Sequence, residues 1–299
     1  MDELSTLTLV LSAVAGGLVG VLSGLFGVGG GFLLVPLLNT LLGVPLPVAV
    51  GSTTCYTLGP ATTALLARRP TLGFAELPLI LTGGLLTGVY AGTWTLSALQ
   101  QTGEILIWNR SVPAVDLGVL SCYSLLMSGI AVLSIRGAIV NRKPSATRAP
   151  GIISRWRIPP VAAIPDMEPS TYSIPLLALL GYGVGCLSGF LGMSGGLVLI
   201  PATVYLLGLR VRDATTVTVV IVWIASCQAC VLHSLNDRVN LWLTVSLLVT
   251  GPVGARLGAE LGMKWSSRKL RLGFGLMVMC AAALVWWRLW NLFNNNAIQ

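Results

Sequence analysis

The sequence predicts an all-α polytopic membrane protein: two inverted-topology repeats of about four to five membrane segments each, each repeat with a Gly-rich broken or re-entrant helix. Three observations predict it. Only 9% of the 299 residues are charged, against 55% hydrophobic, whereas soluble domains carry about 25% charged residues. Two glycine-rich segments repeat at a constant offset. The basic residues collect in alternate gaps between apolar runs. With a mean hydropathy of +0.85, a water-facing surface cannot be assembled from so few charges, and a soluble globule is excluded.

The elements follow in order. Apolar runs cover 7–26, 32–44, 48–67, 75–99 and 115–137, then 173–191, 197–209, 214–232, 241–263 and 270–292. At ~20 residues per span the length accommodates about eight to ten crossings and no sizeable soluble domain. The start, Met1-Asp2-Glu3, lacks a basic n-region, so the first run reads as a retained span. The runs at 32–44 and 197–209 are too short: thirteen helical residues reach ~20 Å, less than the ~30 Å hydrocarbon core. Each is expected to join its predecessor at a break inside the membrane. Residues 138–172, rich in Pro, Arg and Ser, read as a polar linker between a first repeat at 1–137 and a second at 173–299.

The repeat is explicit. Residues 20–43 read GVLSGLFGVGGGFLLVPLLNTLLG and 185–208 read GCLSGFLGMSGGLVLIPATVYLLG. An offset of 165 pairs Gly20, Ser23, Gly24, Gly27, Gly30, Gly31, Pro36 and Gly43 with Gly185, Ser188, Gly189, Gly192, Gly195, Gly196, Pro201 and Gly208. A second ladder, Gly84, Gly88 and Gly92, resembles Gly254, Gly258 and Gly262; its spacing is that of close helix packing. With the linker placed in the cytoplasm, 14 of the 18 basic residues fall inside and 3 outside, and Arg256 lies within a span. That bias matches cytoplasmic loops. It makes the repeats inverted and puts both termini outside.

The run Gly27-Val28-Gly29-Gly30-Gly31 cannot remain comfortably helical, since each interior glycine costs about 1 kcal/mol relative to alanine. Non-helical backbone at membrane depth is tolerated where protein buries it or water lines it. Two such breaks from inverted repeats meet near the midplane, and the helices that start there point partial positive charge at the meeting point. This predicts a small anionic substrate held by backbone N–H and hydroxyl groups. The candidate residues are Gly27, Gly29, Gly30 and Gly31 in the first break and Gly192, Ser194, Gly195 and Gly196 in the second. Ser194 puts a hydroxyl inside its break. Ser23 and Ser188, just before the breaks, either line the site or bridge helices. Ser52, Thr53, Thr54 and Thr218 either donate to an oxyanion or bond back to a helix carbonyl.

The motif Gly-x-x-Ser-Gly-x-x-Gly-x-Gly-Gly-Gly-(x)4-Pro, echoed by Gly-Met-Ser-Gly-Gly in the second half, resembles the sulfite exporter TauE/SafE family. Ala49-Val50-Gly51-Ser52-Thr53-Thr54 resembles that family's small-hydroxyl stretch, and Ala214-Thr215-Thr216-Val217-Thr218 matches it more loosely. The resemblance spans both halves outside the linker. It implies a permease for sulfite, organosulfonates such as sulfoacetate, or related oxyanions in the plasma membrane of a prokaryote.

The remaining polar residues are weighed singly. Arg256 is either a counter-charge for the anion or neutralised by Glu260, one turn later. His233 sits at the outer end of a span beside Asp237 and Arg238 and is expected to be solvated. Cys55, Cys122, Cys186, Cys227, Cys230 and Cys280 all lie in apolar stretches and are expected to be small helix residues. Cys227 and Cys230 share a helix face without further ligands nearby, so no metal or other cofactor is expected. Trp286, Trp287 and Trp290 form an interfacial belt. The net charge of +8 does not signal nucleic acid, because the basic residues are not clustered with aromatics on a soluble face. The partners expected are the anion and the lipid bilayer, with room for a homo-oligomer. No Gly-x-x-x-x-Gly-Lys-Ser/Thr is present, so the expectation is a secondary transporter and not an enzyme. The alternatives are a rhomboid-like intramembrane serine protease using Ser194 and His233, and a non-transporting membrane scaffold.

Overall fold

The computed structural model describes residues 6–68, 76–107, 110–139, 158–163, 171–193, 195–209, 211–265 and 267–295. Ten helices among these residues account for the ten apolar runs: α1 (Thr6–Phe26), α2 (Gly31–Leu42), α3 (Leu46–Arg68), α4 (Glu76–Thr102), α5 (Ala114–Ile139), α6 (Ile174–Leu191), α7 (Gly196–Tyr205), α8 (Val211–Leu235), α9 (Leu241–Lys264) and α10 (Ser267–Asn295). Two short antiparallel hairpins supplement them, β1 (Glu104–Ile107) with β2 (Arg110–Pro113), and β3 (Val161–Ala163) with β4 (Thr171–Ser173). The first joins α4 to α5. The second lies at the end of the linker, and Tyr172 fastens it by donating to Leu207 O at 3.2 Å.

Seven helices, α1, α4, α5, α6, α8, α9 and α10, are long and apolar enough to cross a membrane. The protein is an all-α polytopic membrane protein. At 23 residues, α3 is ~34 Å long. Its mean hydropathy is lowered by a run of hydroxyls, of which Ser52, Thr53, Thr54 and Thr57 are wholly buried. The helix is therefore wrapped by protein. With 12 and 10 residues, α2 and α7 reach only ~18 and ~15 Å. Each ends in matching fashion: Val44 N–H donates to Leu38 O, and Leu209 N–H, 165 residues later, to Thr203 O.

Packing exchanges helices between the halves. α1 lies along α9 in parallel, with Gly20 against Gly251 and Gly24 against Ala255. In the same way α4 lies along α6, with Gly84, Gly88 and Gly92 against the carbonyls of Ala178, Tyr182 and Cys186. The ladder glycines are the points where two backbones touch, and a Cβ there would collide with a main-chain carbonyl. Lipid supplies no hydrophobic drive between helices, so such close packing is what holds them. α3 and α8 run antiparallel, with Thr62 accepting from Trp223 Nε1 at 3.0 Å. α5 and α10 are antiparallel as well, Ser128 meeting Trp286 and Ile135 meeting Gly275.

The cysteines depart from expectation. Cys55 on α3 and Cys230 on α8 form a disulfide, with Cα atoms 5.0 Å apart, while Cys122, Cys186, Cys227 and Cys280 are free. The antiparallel α3–α8 pairing brings the two turns together. Spacing along α8 alone carries no information about a partner on α3.

Candidate functional site

Both glycine breaks are built on left-handed residues, a conformation open to glycine at little cost. The chain leaves α1 through Gly27 and Gly29 at φ 71° and 74°, and leaves α6 through Gly192 and Gly195 at φ 69° and 71°. In the first break Ser23 is the tie: its carbonyl accepts Gly27 N–H at 2.7 Å and its hydroxyl accepts Gly30 N–H at 2.9 Å. In the second, Ser188 O accepts Gly192 N–H at 2.9 Å, but the Ser188 hydroxyl is buried with no partner. The two breaks thus share a plan and differ in detail, since Gly30 is at φ −49° where Gly195 is left-handed. Ser194 lies outside the described residues.

The breaks cross one another. A methyl group added to Gly31 would stand 2.8 Å from Gly192 O and 3.3 Å from Met193 Cα, and one added to Gly196 would strike Val28 O. These contacts exchange under the 165-residue offset, which maps Gly31 to Gly196 and Val28 to Met193. α2 and α7 therefore begin side by side in the interior, each presenting its partial positive end.

α3 and α8 flank the crossing with hydroxyls. Val50 touches Gly192 and Thr57 touches Gly31; Thr53, a helical turn from each, shares that face. Val222 touches Gly29 and Gly196, and Thr218 lies one turn earlier on α8. Thr53 and Thr218 are fully buried, and neither hydroxyl oxygen has a partner. Thr54 differs: it donates back to Val50 O at 2.7 Å, a helix-internal bond. Ser52 also falls away from the crossing, because its hydroxyl accepts Asn240 N–H at 3.0 Å at the start of α9. Its place one residue before Thr53 turns it about 100° around the helix.

A cavity of about 530 Å³ opens on one side of the crossing, lined among others by Ser23, Gly27, Gly29, Ala61, Val222 and Arg256. Arg256 is 3.7 Å from Glu260, and both side chains are largely exposed. Arg256 thus lines the cavity and is locally paired. On the opposite side the corresponding residues are bridged by hydrogen bonds. Leu86, which the glycine ladder aligns with Arg256, accepts Gln228 Nε2 at 2.8 Å through its carbonyl. Arg238 Nε donates to Gln100 Oε1 and Nη2 to Ser97 Oγ, each at 2.7 Å.

Two residues read from the sequence as surface groups are interior. His233 is fully buried with both ring nitrogens unpartnered, and Arg238 is 2% exposed. The turn from α8 to α9 folds inward over Gly51, whose missing side chain admits the Arg238 carbonyl. Tyr123 was not singled out; its hydroxyl donates to Leu191 O at 2.7 Å and steadies the residue before the second break. A tyrosine in the middle of an apolar run was the available signal. Among the described residues no cluster of three or more His, Cys, Asp or Glu could hold a metal ion.

A family model described as sulfite exporter TauE/SafE matches residues 12–285, and the chain belongs to that family. It is 26% identical over 288 residues to a probable membrane transporter protein of Xylella fastidiosa (strain Temecula1 / ATCC 700964), covering 95% of this chain and 97% of the relative. It is 24% identical over 280 residues to the probable membrane transporter protein YunE of Bacillus subtilis (strain 168), covering 88% and 92%. No solved structure matches it.

Proposed function

As a member of the sulfite exporter TauE/SafE family, this chain, we propose, is a secondary transporter that exports small sulfur oxyanions, such as sulfite or organosulfonates, across a prokaryotic plasma membrane. The observation that carries the reading is the crossing of the two glycine breaks beside a cavity open to one side. Backbone amides at the starts of α2 and α7 and the hydroxyls of Thr53, Thr218, Ser23 and Ser188 are the groups for an oxyanion there. They carry no formal charge, so the site need not bury an ion of its own when empty.

The antiparallel α3–α8 and α5–α10 pairs support reading the two halves as inverted repeats. With the linker in the cytoplasm, the cavity at Arg256 faces inward and the closed side at Arg238 faces outward. The structure is then one of two states of an alternating-access cycle. An outside-positive membrane drives anion export by ~2.3 kcal/mol per charge per 100 mV.

Flux measurements decide this. Purified protein in liposomes, loaded in turn with sulfite, sulfoacetate, thiosulfate and sulfate under an imposed potential, is expected to release at least one of them. Folded protein that moves none of the four would refute the reading.

A further inference from the structure

On the side of the crossing away from the cavity lie four buried groups, His233, Ser188, Thr53 and Arg238. His233 on α8 lies against the Gly189 main chain, a loose backbone contact, and neither ring nitrogen makes a hydrogen bond of good geometry. Ser188, next to Gly189 on α6, has an unpartnered buried hydroxyl. Thr53 on α3, one turn from the Val50 that touches Gly192, has another. Arg238 completes the set: its Nη1 reaches Thr93 O at 3.4 Å, and Thr93 in turn packs against Gly189.

Arg238 has hydrogen-bond acceptors but, among the described residues, no counter-ion. Gln100, Ser97 and Thr93 are neutral, and among the described residues no carboxylate pairs with it. A buried guanidinium without a counter-charge carries a desolvation penalty that nothing repays. Hydrogen bonds to neutral oxygens satisfy its geometry and leave its charge uncompensated. Beside it stand an imidazole held only by a loose contact with the Gly189 main chain and two hydroxyls without a hydrogen-bond partner among the described residues, each able to donate. Donors of this kind around an unbalanced positive charge are the chemistry of an anion site.

We propose that α3, α4, α6 and the α8–α9 turn enclose a small-anion station in which Arg238 supplies the charge and His233, Ser188 and Thr53 supply hydrogen bonds. All four groups are more than nine-tenths buried, so the ligand is a single compact anion, a pyramidal or tetrahedral oxyanion or a halide, and not an extended sulfonate. In the orientation proposed above, the station adjoins the outer side of the crossing and shares Thr53 and Ser188 with it. On that transporter reading the anion pauses there last before leaving the membrane.

Anion binding by the full-length protein in lipid nanodiscs tests the station. Sodium sulfite and sodium chloride are titrated against sodium gluconate at constant ionic strength, with the thermal midpoint as readout. At least one of the two anions is expected to raise the midpoint saturably in the native protein and in Gly83→Ala, a change into open space. Arg238→Gln is expected to abolish the response, and His233→Asn to raise the apparent Kd about tenfold or more. Gln100→Glu places a carboxylate beside Arg238. It is expected to raise the midpoint in gluconate and to remove the anion response, an outcome that poor folding cannot imitate. No saturable response in the native protein, or a native response in Gln100→Glu, overturns the station even if Arg238→Gln does not fold. Absence of flux in liposomes with Arg238-dependent binding intact defeats the transporter reading and leaves the station standing. Flux without such binding does the reverse.

Discussion

Thr53 and Thr218 stand 165 residues apart, on matching turns of α3 and α8, and both bury their hydroxyls completely without a hydrogen-bond partner. Elsewhere on α3 the buried hydroxyls of Thr54 and Thr57 find an acceptor one turn back, on the Val50 and Thr53 carbonyls. An unsatisfied buried hydroxyl costs about 1–3 kcal/mol, and two of them at equivalent positions flank the glycine crossing.

Thr53→Val and Thr218→Val are therefore expected to raise the KM for the transported anion by about 10- to 100-fold each, the worth of a hydrogen bond to a charged group. Folded yield is expected to hold or improve. Thr54→Val, whose hydroxyl serves its own helix, is expected to leave KM unchanged. Concentration-dependent liposome flux distinguishes them.

The glycines separate by what surrounds them. Gly196→Ala meets Val28 O and is expected to abolish flux and lower the thermal midpoint. Gly83→Ala and Gly183→Ala meet nothing within 4 Å, and each is expected to stabilise its helix by up to about 1 kcal/mol. Thermal denaturation of the three variants checks the contrast.

Ser52→Ala removes the acceptor for Asn240 N–H. It is expected to cost about 1 kcal/mol of stability with no change in KM, the opposite signature to Thr53→Val.

Arg256 and Glu260 form a solvent-screened pair, worth about 0–1 kcal/mol at most. Arg256→Gln is expected to leave the thermal midpoint nearly unchanged and to weaken anion entry from the cavity, with the deficit shrinking as salt rises. Flux measured at two ionic strengths reads this directly.

Alkylation under non-reducing conditions is expected to modify four cysteines, Cys122, Cys186, Cys227 and Cys280, and all six after reduction. Intact-mass measurement counts them.

The ten helices and both breaks were legible because apolar length, glycine clustering and a fixed offset are properties of contiguous segments. The crossing of the breaks followed the expectation that two copies of one glycine motif meet in the interior. What could not be read depended on partners far apart in sequence. Ser52 and Thr53 are chemically alike, and one faces the start of α9 while the other faces the second break. Asp237 and Arg238 resemble an exposed loop, yet the absence of a side chain at Gly51 draws that loop inside. Cys55 and Cys230 are 175 residues apart, and nothing in either neighbourhood names the other.

The parallel pairing of α1 with α9 and of α4 with α6 has a mechanical consequence. Each half of the chain has lent its first helix to the fourth helix of the other, so a hinge through the linker would have to tear both glycine seams. The halves of the sequence are therefore not separate bodies. They are sewn together along the α1–α9 and α4–α6 seams, and the Cys55–Cys230 disulfide ties α3 to α8 between them.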